Sequence, residues 1–323
     1  MSTEFVLPRP GAPPSFQPPI AAPSEQSFTQ IFGNLLPPAK YIRTPYGKAA
    51  YYEINPSGPE SANAVPDRVL FIHGVQTPAI GMYQLASELH RKFASSHVVL
   101  LDLWGHGLSD TPIVPHEAPL FHGLIDALLD ELKWPTAHLV GFSFGGALTV
   151  GYVASRPKKV SSFVLVAPAG LIRFSGFSQE QQAHIRGGGD EAKARKCVWK
   201  ILGGPNEPLP ADWKDRGAKG VVVVDSVRAW QLREHTGHAA SVVGVFRDGG
   251  VMDRDEQFVE AVKTGVPNVV VLGETDDVCT KELLGELGFK YVHVVEGAGH
   301  GVVRERVPEV AETIAGFWKG LGR

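Results

Sequence analysis

Short apolar runs alternate with longer stretches of helical pattern along most of this 323-residue chain. Six runs are rich in β-branched residues and do not alternate polar with apolar positions: RVLFIH (68–73), HVVLLD (97–102), HLVGFS (138–143), SFVLVA (162–167), NVVVLG (268–273) and YVHVVE (291–296). Such runs are typical of strands that are buried on both faces of a sheet. Because helix-length segments separate them, we predict an α/β fold with a mostly parallel sheet flanked by helices.

Two segments depart from this alternation. Residues 1–40 contain nine of the 25 prolines and almost no charge, which predicts an N-terminal arm without sheet or a long helix. Residues 171–236 combine helical charge patterns with glycine and proline breaks, which predicts a helix–loop insertion over one edge of the sheet. The remaining segments, 41–170 and 237–323, form the predicted core.

The conformation of the arm is left open by its sequence. It is either disordered or extended, or it lies over the domain or a neighbouring subunit of a homo-oligomer. In the second case its apolar side chains would hold it in place: Phe5, Phe16, Phe28, Ile31 and Phe32.

Composition argues against several classes of partner. The net charge is −3 and no basic run occurs, so neither nucleic acid nor an anionic membrane surface is an expected partner. Hydrophobic residues make up 43% of the chain, yet no apolar stretch reaches the length of a bilayer span. The two cysteines predict neither a disulfide framework nor a metal site. The first residues lack the features of a secretory signal, so we expect a cytoplasmic protein.

The stretch GFSFGG (141–146) places Ser143 between a buried strand and a helix. A nucleophile at such a corner has a strained backbone, and a β-carbon at Gly141 or Gly145 would clash with it. The helix that begins at Phe144 directs free N–H groups and the positive end of its dipole towards the serine. We interpret Ser143 as a nucleophile. The alternative is a glycine-rich turn that serves only close packing.

A serine nucleophile needs a base, and the base needs an acid that orients it. His300 follows the last apolar run within GAGHG, whose glycines predict a tight loop at the same edge of the sheet. Asp276 and Asp277 follow the run that ends at Gly273. We prefer Asp276 as the acid and interpret Asp277 as a solvated carboxylate or a helix cap.

The developing oxyanion needs hydrogen-bond donors. The candidates are the N–H groups of Phe144 and of Val75, which lies in the loop HGVQTP after the first core run. Four aromatic residues near the sheet edge or in the insertion are candidates for the substrate pocket, with ordinary packing as the alternative: Trp104, Phe142, Trp199 and Trp230.

Five motifs, FIHG, DLWGHGLSD, VGFSFGG, LGETDDV and GAGHG, occur in an order and spacing that resemble the α/β-hydrolase superfamily, in its serine branch. The resemblance covers roughly residues 45–320. It implies an eight-stranded, mostly parallel sheet with a helical cap insertion. It also implies that Ser143, Asp276 and His300 are nucleophile, acid and base, and that the N–H groups of Val75 and Phe144 form the oxyanion hole. A serine nucleophile argues against the epoxide hydrolases and haloalkane dehalogenases, whose nucleophile is a carboxylate.

We therefore expect a serine hydrolase that uses no cofactor and no metal ion. Its expected partner is a small-molecule substrate, a carboxylic ester or lactone of small or medium size and partly apolar. Two alternatives use the same three residues, a C–C bond hydrolase and an acyltransferase. A third is a non-catalytic ligand-binding protein, because one fold hosts many functions.

Overall fold

The computed structural model describes residues 5–13, 17–57, 65–186, 190–203, 209–218 and 222–322. Its centre is one eight-stranded sheet, made of β1 (Lys40–Thr44), β2 (Gly47–Ile54), β3 (Arg68–Ile72), β4 (His97–Leu101), β5 (Ala137–Phe142), β6 (Val160–Val166), β7 (Asn268–Gly273) and β8 (Val292–Val295). The strand order is β1-β2-β4-β3-β5-β6-β7-β8. Strand β2 is antiparallel to β1 and β4, and the other neighbouring pairs are parallel. The predicted mostly parallel sheet is confirmed.

Helices cover both faces of this sheet. They are α1 (Glu25–Phe32), α2 (Tyr83–Lys92), α3 (Ala118–Glu131), α4 (Phe144–Ser155), α5 (Gln179–Arg186), α6 (Glu191–Ile201), α7 (Trp213–Ala218), α8 (Val224–Glu234), α9 (His238–Asp248), α10 (Asp255–Lys263), α11 (Lys281–Glu286), α12 (Val302–Glu305) and α13 (Val307–Leu321). Within the described ranges, none of them is long and apolar enough to cross a membrane.

The double cover explains why the strands show no polar–apolar alternation. In β3, Leu70 and Ile72 belong to the hydrophobic cluster that contains residues of α3, α4 and α10. Val69 and Phe71 belong to the cluster on the other face, with residues of α2 and α13. Successive side chains of a strand point to opposite faces, so both sets must be apolar.

The arm lies against its own chain. Helix α1 begins after Ser24, whose Oγ accepts a hydrogen bond from the N–H of Ser27 at 3.1 Å. Phe28 and Phe32 pack against the ring of Trp230, with centroid distances of 5.3 and 6.0 Å.

One β-bridge, between Ile20 and Thr111, also joins the arm to the core. The arm therefore has more regular structure than its prolines predicted. Of the other proposed anchors, Phe5 and Ile31 are partly buried, and Phe16 lies outside the described residues.

Between β6 and α9 the chain leaves the sheet and forms α5, α6, α7 and α8. Helices α5 and α6 pack on α9, and α8 packs on the arm through Trp230. This segment lies beside the edge where the parallel strands β3, β5, β6, β7 and β8 end, because side chains from both line one cavity there. The loops that follow those strands carry the candidate functional residues.

Candidate active site

Ser143 lies at the sharp corner between β5 and α4, with φ 53° and ψ −117°. A positive φ at a residue with a β-carbon costs free energy and persists only where its surroundings enforce it. Here the Ser143 N–H donates to the carbonyl of Val166 at 3.1 Å. A β-carbon at Gly145 would overlap the carbonyl of Ile72, and one at Gly141 would overlap the carbonyl of Gly145. Both glycines are therefore required by close packing, as the sequence predicted.

Ser143, His300 and Asp276 form one hydrogen-bonded chain. His300 Nε2 lies 3.0 Å from Ser143 Oγ, and His300 Nδ1 lies 3.2 Å from each carboxylate oxygen of Asp276. When Nδ1–H donates to the carboxylate, Nε2 presents its lone pair to the serine hydroxyl. The side chain of Asp276 is fully buried, whereas that of His300 is 32% exposed. The arrangement gives the serine a base and gives the base a fixed orientation.

Close packing between two loops holds Asp276 and His300 together. The Thr275 N–H and hydroxyl both donate to the carbonyl of Ala298, at 2.9 and 3.0 Å. A β-carbon at Gly273 would overlap the carbonyls of Ala298 and Gly299, so the strand end must be glycine for the loops to approach. The N–H of Val278 donates to Asp276 Oδ1 at 2.9 Å and orients the carboxylate further.

The two proposed oxyanion donors come from the residue after Ser143 and from the loop after β3. Phe144 is the first residue of α4, so its N–H is one of the unpaired donors of the helix N-terminus. The loop after β3 approaches the serine closely, because a β-carbon at Gly74 would lie 2.9 Å from Ser143 Cβ. Val75 follows in this loop and lines the cavity above the serine.

His73 anchors that loop and is not part of the hydrogen-bonded chain of Ser143, His300 and Asp276. Its Nδ1 donates to the carbonyl of Gly74 at 2.7 Å, and its Nε2 accepts from the N–H of Leu103 at 2.9 Å. Burial lowers the pKa of His73 to about 4, so the ring is neutral near pH 7.

Asp102 fastens the loop after β4. Its Oδ1 accepts from the N–H of Ala79 at 2.8 Å, and its Oδ2 accepts from the N–H of Leu108 and the hydroxyl of Tyr52. Burial raises the pKa of Asp102 to about 6. The motif DLWGHGLSD therefore serves to anchor loops.

A cavity of about 400 Å³ opens over Ser143 and His300. Its size is within the range of small-molecule sites. Most of its lining is apolar and comes from the loops after β3, β6 and β7 and from the insertion. The lining residues are Val75, Gln76, Thr77, Phe142, Ser143, Ala169, Ile172, Phe177, Ile201, Leu202, Arg228, Phe246, Val251, Asp277, Val278, His300 and Arg304.

Of the four aromatic residues proposed for the pocket, Phe142 lines the cavity and the three tryptophans do not. The prediction that the three tryptophans line the pocket is wrong, because they pack elsewhere. Trp104 is buried in the core cluster beside α3 and α4. Trp199 packs towards His238, and Trp230 packs against the arm. Each of the three rings packs against other parts of the chain and does not line the cavity.

Several lining residues were missed by the sequence analysis. Phe177, Ile201, Leu202 and Arg228 lie in the insertion, whose course cannot be read from motifs. Arg304 gave a usable signal, since it lies only four residues after His300 in the sequence. No cluster of three or more histidine, cysteine, aspartate or glutamate side chains is arranged for a metal ion in the described part of the chain.

The model of the family described as "Alpha/beta hydrolase family" matches residues 69–313. Lipase 3 of Moraxella sp. is 25% identical over 271 residues, which cover 81% of this chain and 80% of that protein. A putative 2-succinyl-6-hydroxy-2,4-cyclohexadiene-1-carboxylate synthase of Bacillus subtilis is 24% identical over 265 residues, 78% of this chain and 88% of that protein. An uncharacterised Mycobacterium tuberculosis protein is 26% identical over 140 residues, so the match spans only 38% of that relative's length and 43% of this chain.

Solved structures show the same fold. The enol-lactonase of Burkholderia xenovorans superposes with a TM-score of 0.63 at 20% identity, over 87% of this chain and all of that one. A putative lipase of Acinetobacter baumannii gives a TM-score of 0.63 at 16% identity, over 92% of this chain and 96% of that one. At these identities the likeness concerns the fold alone. The family model, in contrast, covers most of the chain and includes all the residues of the site, and the protein therefore belongs to the alpha/beta hydrolase family.

Proposed function

We propose that this protein is a serine hydrolase that cleaves a carboxylic ester or lactone through an acyl-enzyme. One observation carries the proposal: the hydrogen-bonded chain from Asp276 through His300 to Ser143 ends at the floor of the 400 Å³ cavity. A serine with an oriented base, open to a cavity that accepts a small molecule, is the arrangement that nucleophilic acyl transfer requires.

The first half-reaction forms the acyl-enzyme. Ser143 Oγ attacks the carbonyl carbon while His300 Nε2 takes the hydroxyl proton, and buried Asp276 stabilises the imidazolium that results. The N–H groups of Phe144 and Val75 donate to the oxyanion. The C–O bond to the alcohol then breaks, and His300 returns its proton to the leaving oxygen. In a lactone the alcohol stays attached to the acyl group.

The second half-reaction repeats these steps with water as the nucleophile. His300 takes a proton from the water as the water attacks the acyl carbon. The ester bond to Ser143 then breaks, and His300 returns the proton to Ser143 Oγ. The carboxylic acid leaves, and the hydrogen-bonded chain is restored.

We propose further that residues 171–236 act as a cap that selects the substrate. Phe177, Ile201 and Leu202 of this segment line the cavity opposite the catalytic floor, which favours a partly apolar substrate of small or medium size. The printed names of a lipase among the relatives and an enol-lactonase among the similar folds agree with ester or lactone chemistry. They support the reaction class and leave the substrate of this chain open.

The test is hydrolysis of 4-nitrophenyl esters from acetate to octanoate and of γ- and δ-lactones by the wild type and by Ser143→Ala. We expect the substitution to lower kcat by about 10⁴-fold or more, because it removes the nucleophile. Ser155→Ala is the control, since Ser155 lies at the other end of α4 and its hydroxyl contacts carbonyls of that helix and the guanidinium group of Arg156. The proposal is wrong if Ser143→Ala retains activity on every ester that the wild type hydrolyses. Product analysis with added alcohols and with a β-diketone distinguishes hydrolysis from acyl transfer and C–C cleavage.

A further inference from the structure

We propose that the substrate of this site carries a carboxylate, which Arg228 and Arg304 bind at the wall of the cavity. This inference rests on the proposed hydrolase function and names its substrate class. Both arginines line the same cavity as Ser143 and His300. They come from different parts of the chain, Arg228 from α8 of the insertion and Arg304 from α12 after β8.

Arg304 lies close to the reacting groups. Its guanidinium carbon is 5.1 Å from the centre of the Phe142 ring, and that ring is 5.4 Å from the ring of His300. Phe142 is also the residue before Ser143. The guanidinium group and the His300 ring therefore both lie within 5.4 Å of the centre of the Phe142 ring. A small substrate that reacts at Ser143 could reach Arg304 with a carboxylate.

Both guanidinium groups have unused hydrogen-bonding capacity. Arg304 Nη1 and Arg228 Nε are buried and have no hydrogen-bond partner among the residues that the structure describes. Arg228 has one ionic contact, Nη1 to Asp225 Oδ1 at 3.3 Å, and its side chain is 30% exposed. Buried donors without acceptors cost free energy, so their retention at a cavity wall indicates an acceptor that arrives with the ligand.

The two guanidinium groups favour an anionic group on the ligand. Burial and, secondarily, the neighbouring charge of Arg228 lower the pKa of Arg304 to about 10, so Arg304 is cationic near pH 7. Burial also lowers the pKa of Arg228. Asp225 pairs with Arg228, and the carboxylate of Glu305 also acts on Arg304, so both guanidinium groups have acidic neighbours within the chain. Of the carboxylates near the serine, Asp276 binds His300, whereas Asp277 is exposed and also lines the cavity. A carboxylate offers the unpaired N–H groups a charged acceptor and matches the fork of a guanidinium group.

The test compares pairs of esters that differ only by carboxylate and carboxamide. The first pair is mono-4-nitrophenyl glutarate and 4-nitrophenyl glutaramate, with the group on the acyl side. The second pair is 4-carboxyphenyl and 4-carbamoylphenyl hexanoate, with the group on the alcohol side. For at least one pair we expect the wild-type kcat/KM to favour the acid by about tenfold or more, chiefly through a lower KM, as for a charge-assisted hydrogen bond.

Arg304→Gln and Arg228→Gln should each lower this acid-to-amide ratio by about tenfold, and Arg304→Lys should restore part of it because the charge returns without the fork. Arg233→Gln is the matched control. Arg233 lies on the same helix as Arg228, is 58% exposed and pairs with Glu234, so its loss should leave the ratio at the wild-type value. Thermal midpoints check that each variant is folded.

The outcomes separate this inference from the proposed function. The inference is overturned if the esters are hydrolysed and the acid is not preferred in either pair, or if its preference survives in both glutamine variants. If no ester is hydrolysed, the proposed function fails, and calorimetric titration with hexanoate and hexanamide tests the inference by itself. Binding of hexanoate that both glutamine variants lose keeps it, and binding that does not depend on the arginines contradicts it.

Discussion

Asp276 and Asp277 are adjacent in sequence but lie in different environments. Both carboxylate oxygens of Asp276 are 3.2 Å from His300 Nδ1, and its side chain is fully buried. Asp277 is exposed and lines the cavity. Only Asp276 is therefore placed to hold the tautomer of His300 and to stabilise its cationic form.

Asp276→Asn should lower kcat by roughly 10²- to 10⁴-fold with a smaller effect on KM, because the amide cannot stabilise the imidazolium. Asp277→Asn is the matched control and should change kcat by less than about tenfold. Steady-state kinetics on one ester measures both. A large loss for Asp277→Asn with little loss for Asp276→Asn would move the acid one residue along the chain.

For single residues, the positions that follow apolar strands could be predicted from the sequence. Ser143, Asp276 and His300 each come directly after an apolar run, and the parallel sheet brings such positions to one edge. The sequence did not indicate which way a tryptophan side chain points, so Trp104 was proposed for the pocket although it lies in the core. It also left out Arg228, since helix α8 reaches the cavity through tertiary packing that no local pattern encodes.

Among the elements, the strands β3 through β8 could be predicted and strand β1 could not. The runs assigned to β3 through β8 agree with the observed strands within two residues at each end. Strand β1 was missed because Lys40 and Arg43 interrupt its short apolar pattern, whereas the other edge strand, β8, contains three valines in four residues. Helix α1 was missed because the surrounding prolines outweighed a short amphipathic segment that Ser24 caps.

The packing of α1 on α8 predicts that the arm stabilises the insertion. Phe28 is 4% exposed and its ring contacts those of Phe32 and Trp230. Phe28→Ala should lower the free energy of unfolding by about 3 kcal/mol, as for a buried aromatic side chain. Val6→Ala is the control in the same arm, because Val6 is 54% exposed. Equal urea midpoints for the two variants would show that the arm contributes no stability.

An assembly of subunits through the arm stays a prediction. The aromatic side chains of α1 pack within the chain itself, against Trp230 and Trp213. Sedimentation of the wild type and of a variant without residues 1–39 tests the prediction. A homo-oligomer that dissociates when the arm is removed would support the prediction. An unchanged number of chains per particle would contradict it.

In the whole molecule, buried histidines couple stability to pH. Burial lowers the pKa of His73, His116, His122 and His138 from 6.5 to about 4, and that of His238 to about 3. Below about pH 6.5 the unfolded chain therefore binds protons that the native chain excludes, and the free energy of unfolding falls as the pH falls. One such histidine contributes a loss of about 2 kcal/mol at pH 5.

A buried carboxyl group acts in the opposite direction. The pKa of Asp102 is raised from 3.8 to about 6, so the native chain binds one proton before the unfolded chain does. Several histidines outweigh this one group, and we expect the urea midpoint to fall clearly between pH 7.5 and pH 5. A midpoint that is constant or rises over this interval would show that the buried rings do not control the acid stability.

The central claim is that Ser143 is an activated nucleophile, and covalent labelling by a fluorophosphonate tests it most directly. Such a reagent reacts with a serine whose hydroxyl has a base at hydrogen-bond distance, as His300 Nε2 has at 3.0 Å. Peptide mass spectrometry should find one label per chain at Ser143 in the wild type, none in Ser143→Ala, and strongly slowed labelling in His300→Ala. A folded wild type that is inert to the reagent, or a label that persists in Ser143→Ala, would contradict the account.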